Sequence, residues 1–207
     1  MVRIRVRDSQ KSRDDILKAA EIEFAEKGIY GTRVDEIAAK ANINKRMIYE
    51  YFGNKEELYK TVLVTVYSRL SHKEIDVLSE DIECTDAIKK IISLYFDFLR
   101  NNPAYVSLIL WENLNKGKFI ESIDFTQIKD PTFELLRKVI NSGKAKGIFK
   151  ASIDTEQVIL SLLTYTFSYF SNRYTLSKLM GRKLDEEVNI KNRVENVTEM
   201  FLGYLCN

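Results

Sequence analysis

The segment from Asn44 to Lys55 carries the side chains of this 207-residue chain whose types and spacing most suggest chemistry. Ile48 and Phe52, four residues apart, mark one apolar stripe of a short predicted helix over 45–52. The rest of its surface holds Lys45, Arg46, Met47, Tyr49, Glu50 and Tyr51. Core packing does not require such cations and tyrosines, whereas contacts to base edges and phosphate oxygens do. The pattern therefore favours a helix that reads nucleic acid.

Two predicted helices precede this segment. Ser12 begins the first, which has an apolar face and ends at Gly28, a residue suited to a left-handed conformation. Thr32 is expected to cap the second helix, with Asp35 as its reciprocal partner. The second helix is about two turns long.

A turn at Asn42 joins this pair to the segment of interest, because Asn tolerates a left-handed conformation. Asn44 is expected to cap the helix over 45–52, and Asn54 to cap a fourth helix that runs to about Ser71. Lys55 then lies at a helix N-terminus, which attracts anions. Two short helices joined by such a turn are typical of a helix-turn-helix. An αα-hairpin that only packs is the alternative.

Composition indicates an all-α protein. The chain has 2 prolines and 8 glycines, with 45% hydrophobic and 30% charged residues, which suits long helices joined by few turns. The longest uncharged stretch, 157–172, is shorter than the ~20 apolar residues that a bilayer span needs. Charged and aliphatic residues alternate over 1–8, so the N-terminus lacks the apolar stretch of a secretory signal peptide. We therefore expect a cytoplasmic protein with no membrane partner, in which Cys84 and Cys206 are ordinary small hydrophobic residues.

The formal charge of +2 is unevenly distributed along the chain. Residues 1–11 form a basic arm. It contains one acidic residue, Asp8, and four basic residues, Arg3, Arg5, Arg7 and Lys11. A basic arm suits a polyanionic partner, although a solvated tail has the same composition. The arm alone therefore leaves both interpretations open.

Motifs of the common enzyme classes are absent from the sequence. No phosphate-binding glycine loop, dinucleotide fingerprint, nucleophile elbow or zinc-protease helix motif occurs. His72 is the only histidine, and the two cysteines are far from each other in sequence, so a metal site is not expected. We predict a protein that is not an enzyme and that needs no metal and no cofactor.

The sequence resembles the DNA-binding domain of the tetracycline-repressor (TetR) family of transcriptional regulators. The resemblance covers about sixty residues in order, and its motifs are Ser12 to Ala20, Phe24, Gly28, Gly31 to Ala38, Ile48 to Phe52 and Asn54 to Leu58. It implies an N-terminal three-helix helix-turn-helix domain and a C-terminal helical domain for dimerisation and ligand binding. It also implies a homodimer that binds palindromic double-stranded operator DNA. The expected division is 1–11 for the arm, 12–70 for the DNA-binding domain and 71–207 for the rest.

The resemblance also assigns roles to individual positions. Thr32, Tyr49, Tyr51 and Lys55 match phosphate anchors, and Lys45, Arg46 and Met47 match base-reading positions. The full set of DNA-contact candidates is Thr32, Arg33, Asn44, Lys45, Arg46, Met47, Tyr49, Tyr51 and Lys55. This chain departs from the common family pattern, with Asn42, Arg46, Met47 and Glu50 where Gly, Gly or Pro, Thr and His are frequent. The operator sequence therefore cannot be taken from a relative, although Arg46 could pair with guanine and Met47 could meet a thymine methyl group.

Further helices are predicted near 83–101, 103–115, 130–146, 154–180 and 185–205. The last two are more apolar than a monomer can easily cover, which suits a four-helix dimer interface. Its candidate residues are Val158, Leu162, Val194, Val197, Phe201 and Leu205.

Aromatic residues of the C-terminal part are the candidates for contact with a small-molecule effector. The set is Tyr95, Tyr105, Ile109, Trp111, Glu112, Phe133, Tyr165 and Tyr169. Most of these could be core residues, and Glu112 could be a plain exposed glutamate or a group that orients a ligand. The favoured function is a repressor released by an unknown, mostly apolar or aromatic effector. The alternative is a constitutive DNA-binding or partner-binding module with no effector.

Overall fold

A computed structural model of the chain describes residues 2–75, 82–124 and 131–206. Within these ranges the chain forms ten α-helices and one short 3-10 helix, Ile120–Ser122. The α-helices are α1 Val2–Gly31, α2 Val34–Lys40, α3 Lys45–Phe52, α4 Lys55–Ile75, α5 Cys84–Asn101, α6 Pro103–Leu114, α7 Pro131–Ala145, α8 Thr155–Ser171, α9 Arg173–Met180 and α10 Glu187–Leu205. The predicted all-α class is confirmed. None of the described helices has the length and apolarity of a membrane span.

The chain divides into two compact units, and the first contains Met1–Ser68 and Ala104–Ile128. Its core is formed by buried aliphatic and aromatic side chains of α1, α2, α3 and α4, among them Ile16, Phe24, Ile37, Ile48 and Leu58. Helix α6 belongs to this unit although it lies much later in the sequence. The boundaries at residues 11 and 70, between the arm, the DNA-binding domain and the C-terminal domain, remain predictions.

Three local predictions for the first unit are confirmed. Asn42 has a positive φ of 53°, as expected for the turn between α2 and α3. The Asn44 side chain accepts a hydrogen bond from the Arg46 backbone N–H at 2.8 Å. The Asn54 side chain accepts one from the Glu57 backbone N–H at 2.9 Å, which caps α4. Short polar side chains at helix starts thus fix the orientation of α3.

The start of α2 differs from the prediction. Thr32 is buried, and its hydroxyl donates to the carbonyl oxygens of Gly28 and Glu23, so it does not cap α2. Arg33 occupies the cap position, and its backbone N–H donates to the Glu36 carboxylate at 3.1 Å. The nearby carbonyl groups at the end of α1 compete for the threonine hydroxyl, and sequence spacing does not show this competition.

Helix α1 also exceeds its predicted bounds. It begins at Val2 instead of Ser12, so the backbone of the predicted arm continues the helix. Gly28 interrupts the helical path with φ 66°, as its predicted role requires, and the helix then continues to Gly31. The arm and the first helix are therefore one element in this structure.

The second unit contains Arg69–Pro103 and Lys129–Asn207. Helix α5 packs against α7, α8 and α10 in this unit, and α7 also packs against α8. The guanidinium of Arg137 on α7 forms two hydrogen bonds to the Glu156 carboxylate on α8, at 2.6 and 2.8 Å. The single helix predicted over 154–180 is two helices, α8 and α9, that meet at Asn172.

The residues predicted for the dimer interface require a correction. Val158, Leu162, Val197, Phe201 and Leu205 are buried within a single subunit, and Val194 is half-buried. Helical spacing identified an apolar stripe, but the stripe packs on the subunit's own core. The apolar side chains that α8 and α10 expose include Leu160, Tyr165, Met200 and Tyr204.

Candidate nucleic-acid interface

Helix α3 is anchored to the first unit by the apolar stripe that the sequence indicates. Ile48 and Phe52 are buried, and the Arg13 guanidinium carbon lies 5.2 Å from the centroid of the Phe52 ring. Anchoring through two side chains leaves the opposite surface of α3 facing solvent. The candidate contact residues are therefore presented by a fixed helix.

Arg46 is the most prominent side chain of that surface. Its side chain is 85% exposed, and its Nε lies 2.8 Å from Glu50 Oε1 on the next turn. Lys45 Nζ lies 2.9 Å from Asp35 Oδ1 of α2, and this contact raises the pKa of Lys45. Exposed ion pairs of this kind contribute little to stability, because water and salt screen them. Both cations can therefore exchange these carboxylates for another anion at little cost.

The remaining candidates have different degrees of exposure. Arg33, Asn44 and Tyr49 are exposed, and Met47 is half-buried. The Tyr51 hydroxyl donates to Ser9 Oγ at 3.1 Å, which joins α3 to α1. Met47, Tyr49 and Tyr51 thus lie on α3 and Asn44 caps it, whereas Arg33 stands at the start of α2.

Lys55 and Thr32 form an internal contact. Lys55 Nζ donates to the Thr32 carbonyl oxygen at 3.1 Å. The Thr32 hydroxyl itself donates to two carbonyl oxygens of α1. Lys55 remains half-buried at the start of α4. Thr32 positions the α1–α2 junction and offers no free hydroxyl in this structure.

Glu23 is a supporting residue that the sequence reasoning missed. Its buried carboxylate lies 2.7 Å from Lys27 Nζ and 2.6 Å from Lys40 Nζ, and Lys27 also reaches Glu36 at 3.0 Å. Hydrogen bonds from Lys27 and Lys40 lower the pKa of Glu23. This network joins α1 to α2. The i,i+4 spacing of Glu23 and Lys27 was a usable signal, whereas the link to Lys40 depends on the fold.

Helix α6 is attached to α1 and α4 within the same unit. The Trp111 indole N–H donates to the Ala25 carbonyl oxygen, and Glu112 Oε2 accepts the backbone N–H groups of Phe119 and Ile120. Burial, and next the Glu112 carboxylate, raise the pKa of Tyr59 on α4. Glu112 is 1% exposed, so the alternative of a plain exposed glutamate is wrong.

The effector candidates are divided between the two units. In the first unit, Tyr105 is buried with its ring against Tyr67, Ile109 is half-buried, and Trp111 and Glu112 make the contacts given above. In the second unit, Tyr95 is buried and Phe133 is half-buried. Tyr165 and Tyr169 do come together, because both line a cleft of about 560 Å³ between α8, α9 and α10.

Comparison with known proteins gives matches over both parts of the chain. Residues 16–62 match the family described as "Bacterial regulatory proteins, tetR family", and residues 85–201 match "Tetracyclin repressor-like, C-terminal domain". The HTH-type transcriptional repressor NicS of Pseudomonas putida is 30% identical over 185 residues, which are 89% of this chain and 87% of NicS. The repressor SCO4008 of Streptomyces coelicolor is 30% identical over 159 residues, 76% of this chain and 77% of SCO4008.

A solved structure shows the same fold. The fatty acid degradation regulator FadR from Bacillus halodurans superimposes with a TM-score of 0.73 at 20% identity, covering 92% of this chain and 94% of FadR. Together with the matched families, which span the helix-turn-helix and most of the C-terminal helices, these relatives establish the kind of protein. The chain belongs to the TetR family of helix-turn-helix transcriptional regulators.

Proposed function

We propose that this regulator is a repressor that binds palindromic operator DNA as a homodimer and is released by a small, mostly apolar or aromatic effector. TetR-family regulators bind operator DNA, dimerise and bind small-molecule effectors. The observation that carries the DNA-binding part is the position of Arg46, 85% exposed on the first turn of α3. The N-terminal residues of a recognition helix are those that reach base edges in the major groove.

Contacts to DNA divide into two classes. Lys45, Arg46 and Met47 would read base edges, with Arg46 suited to two hydrogen bonds with one guanine. Arg33, Asn44, Tyr49, Tyr51 and Lys55 would contact phosphates. Tyr49 and Tyr51 lie on α3, Asn44 caps it, and Arg33 and Lys55 stand at the starts of α2 and α4. We assign no phosphate contact to the Thr32 side chain, because its hydroxyl already has two acceptors.

The partner in the homodimer is proposed to pack on the exposed apolar side chains of α8 and α10. We define the dimer face as Leu160, Tyr165, Met200 and Tyr204, which are 57, 40, 45 and 58% exposed. An isologous interface of these residues would remove large apolar side chains from water in both copies. Two α3 helices must then lie about 34–36 Å apart to enter successive major grooves.

Release by an effector requires that the ligand bind with different affinities to two conformations of the dimer. These conformations would differ in the distance between their two α3 helices. A 100-fold loss of operator affinity corresponds to a coupling of about 2.7 kcal/mol. The alternative, a constitutive DNA-binding module, predicts operator affinity that no small molecule changes. Aromatic side chains in both units support the effector hypothesis, but most are committed to the core.

Selection of binding sites from a random duplex library tests the proposed function. The full chain is expected to enrich a palindrome whose half-sites are about one helical turn apart. Lys178→Ala, which removes an exposed cation of α9 far along the chain from α3, is the control and should enrich the same palindrome. Enrichment of no motif, or of a single unpaired half-site, would contradict operator binding by a dimer.

A further inference from the structure

Arg46 and Glu50 lie one turn apart on the exposed surface of α3. The Arg46 side chain is 85% exposed and that of Glu50 is 56% exposed, and Arg46 Nε donates to Glu50 Oε1 at 2.8 Å. The Arg46 backbone N–H is also fixed, because it donates to the side chain of Asn44, which caps α3. The cap thus fixes the backbone of Arg46, and Glu50 holds its guanidinium.

The contact with Glu50 uses one particular part of the guanidinium. A guanidinium has five N–H donors, one on Nε and two on each terminal nitrogen. Among the described residues, the Arg46 side chain donates to Glu50 alone, and it does so through Nε, so both terminal nitrogens keep their donors. Two N–H groups of one guanidinium match the O6 and N7 atoms of guanine. Arg46 can therefore meet guanine through its terminal nitrogens without leaving Glu50.

A phosphate group is a less suitable acceptor for this pair than guanine. Its oxygens are anionic, so the nearby Glu50 carboxylate repels them, whereas the acceptor atoms of guanine carry no net charge. An arginine that is held before binding also loses less side-chain freedom when it binds. Both effects favour a base contact of Arg46 over a contact with the phosphate backbone.

The second ion pair of this surface lacks the same property. Lys45 Nζ lies 2.9 and 3.0 Å from the two carboxylate oxygens of Asp35 on α2. An ammonium group is a point charge with three rotatable donors, so a carboxylate partner does not select one edge of it. Arg46 and Glu50 are therefore the pair in which the acidic partner can orient the reading group.

We infer that Glu50 is a specificity-determining positioning residue, which orients Arg46 towards one guanine and keeps it from the phosphate backbone. The inference rests on the proposed function, in which Arg46 reads a base edge. Glu50 needs no DNA contact of its own, so its effect acts through Arg46. Its contribution to stability is a separate and small effect, because water and salt screen an exposed pair.

Competition binding on the selected operator and its single-base variants tests this role. The full chain is compared with Glu50→Ala, Glu50→Gln, Arg46→Ala and the double variant that combines Arg46→Ala and Glu50→Ala. Glu57→Gln on α4 is the matched control, because Glu57 is 54% exposed and lies 2.9 Å from Lys60 in a similar pair. Affinity for a random duplex is measured at several salt concentrations. Thermal unfolding of each variant checks that it folds.

Glu50→Ala should lose about tenfold of the discrimination at the base pair that Arg46 reads. Its affinity for the random duplex should rise, and the salt slope should become steeper by about 0.9 for each Arg46 that takes a phosphate. Glu50→Gln keeps an acceptor for Nε without the charge, so its discrimination should lie between those of Glu50→Ala and the wild type. Glu57→Gln should match the wild type in discrimination and slope.

The double variant should discriminate no worse than Arg46→Ala alone, because Glu50 acts through Arg46. A further loss in the double variant would overturn the inference, since Glu50 would then read a base itself, as a carboxylate can at cytosine N4. Wild-type discrimination and slope in Glu50→Ala would overturn it as well. If instead the wild type selects no operator, or Arg46→Ala keeps the wild-type profile, the proposed function fails and the inference falls with it. The two failures are therefore distinguishable.

Discussion

The Trp111 indole N–H donates to the carbonyl oxygen of Ala25 at 3.2 Å, and this bond joins α6 to α1 across 86 positions of sequence. The Trp111 ring occupies the space beside Gly28, where a Cβ would lie 2.8 Å from its Cδ2 atom. Gly28 also has φ +66°, which favours glycine. The kink of α1 and the docking of α6 therefore depend on the same residue.

Gly28→Ala should destabilise the chain by more than backbone strain alone. A Cβ at φ 66° and ψ 174°, a conformation essentially restricted to glycine, costs about 1–3 kcal/mol, and displacing a packed ring adds about 1–3 kcal/mol. Gly117→Ala is the matched control, since Gly117 has φ +72° and no atom near its Cβ position. Urea unfolding of the two variants gives the comparison. Equal losses of stability would show that the contact with Trp111 contributes nothing.

Glu23→Gln should lower stability at neutral pH by about 1.5–3 kcal/mol, because charge-assisted hydrogen bonds to Lys27 and Lys40 are lost. The folded pKa of Glu23 lies below its ordinary value of 4.5. Its contribution is therefore complete above pH 4.5 and is lost as the pH falls through the folded pKa. Denaturation of both proteins from pH 7 to pH 3 measures this. A stability difference that is independent of pH would contradict the role of the carboxylate.

The sequence indicated local features of this fold and missed those that depend on distant contacts. Asn44 and Asn54 were identified as caps because a cap needs only its own first turn. The role of Thr32 was mistaken because its hydroxyl bonds to α1, nine residues away at Glu23. Phe201 and Leu205 were assigned to a dimer interface because helical spacing shows an apolar stripe without showing what covers it.

Binding to DNA should be steeply salt-dependent, since several cations and hydroxyls of each subunit would meet phosphates. The logarithm of affinity falls with a slope of about −0.9 per phosphate neutralised by a cation. Removing residues 1–8 should weaken binding to all sequences alike and make the slope shallower. Fluorescence anisotropy with operator and random duplexes at several salt concentrations tests this. An unchanged affinity and slope would show that the basic arm is a solvated tail.

The double substitution Leu160→Glu and Tyr204→Glu should produce a folded monomer that no longer binds operator. Both side chains are more than half exposed in one subunit, so the subunit core is retained, but a dimer would bury unpaired charge. Leu179→Glu on α9, 82% exposed, is the control and should remain dimeric. Sedimentation velocity distinguishes the two states. A dimeric double variant would place the interface on another surface.

Base reading by Arg46 is the central claim about this regulator, and competition binding tests it most directly. Wild type, Arg46→Ala and Lys60→Ala are compared against the selected operator and its single-base variants. Arg46→Ala should lose discrimination at one base pair of each half-site, by about 1–3 kcal/mol, while Lys60→Ala on α4 keeps the wild-type profile. An Arg46→Ala profile identical to that of the wild type would contradict the assignment of α3 as the reading helix.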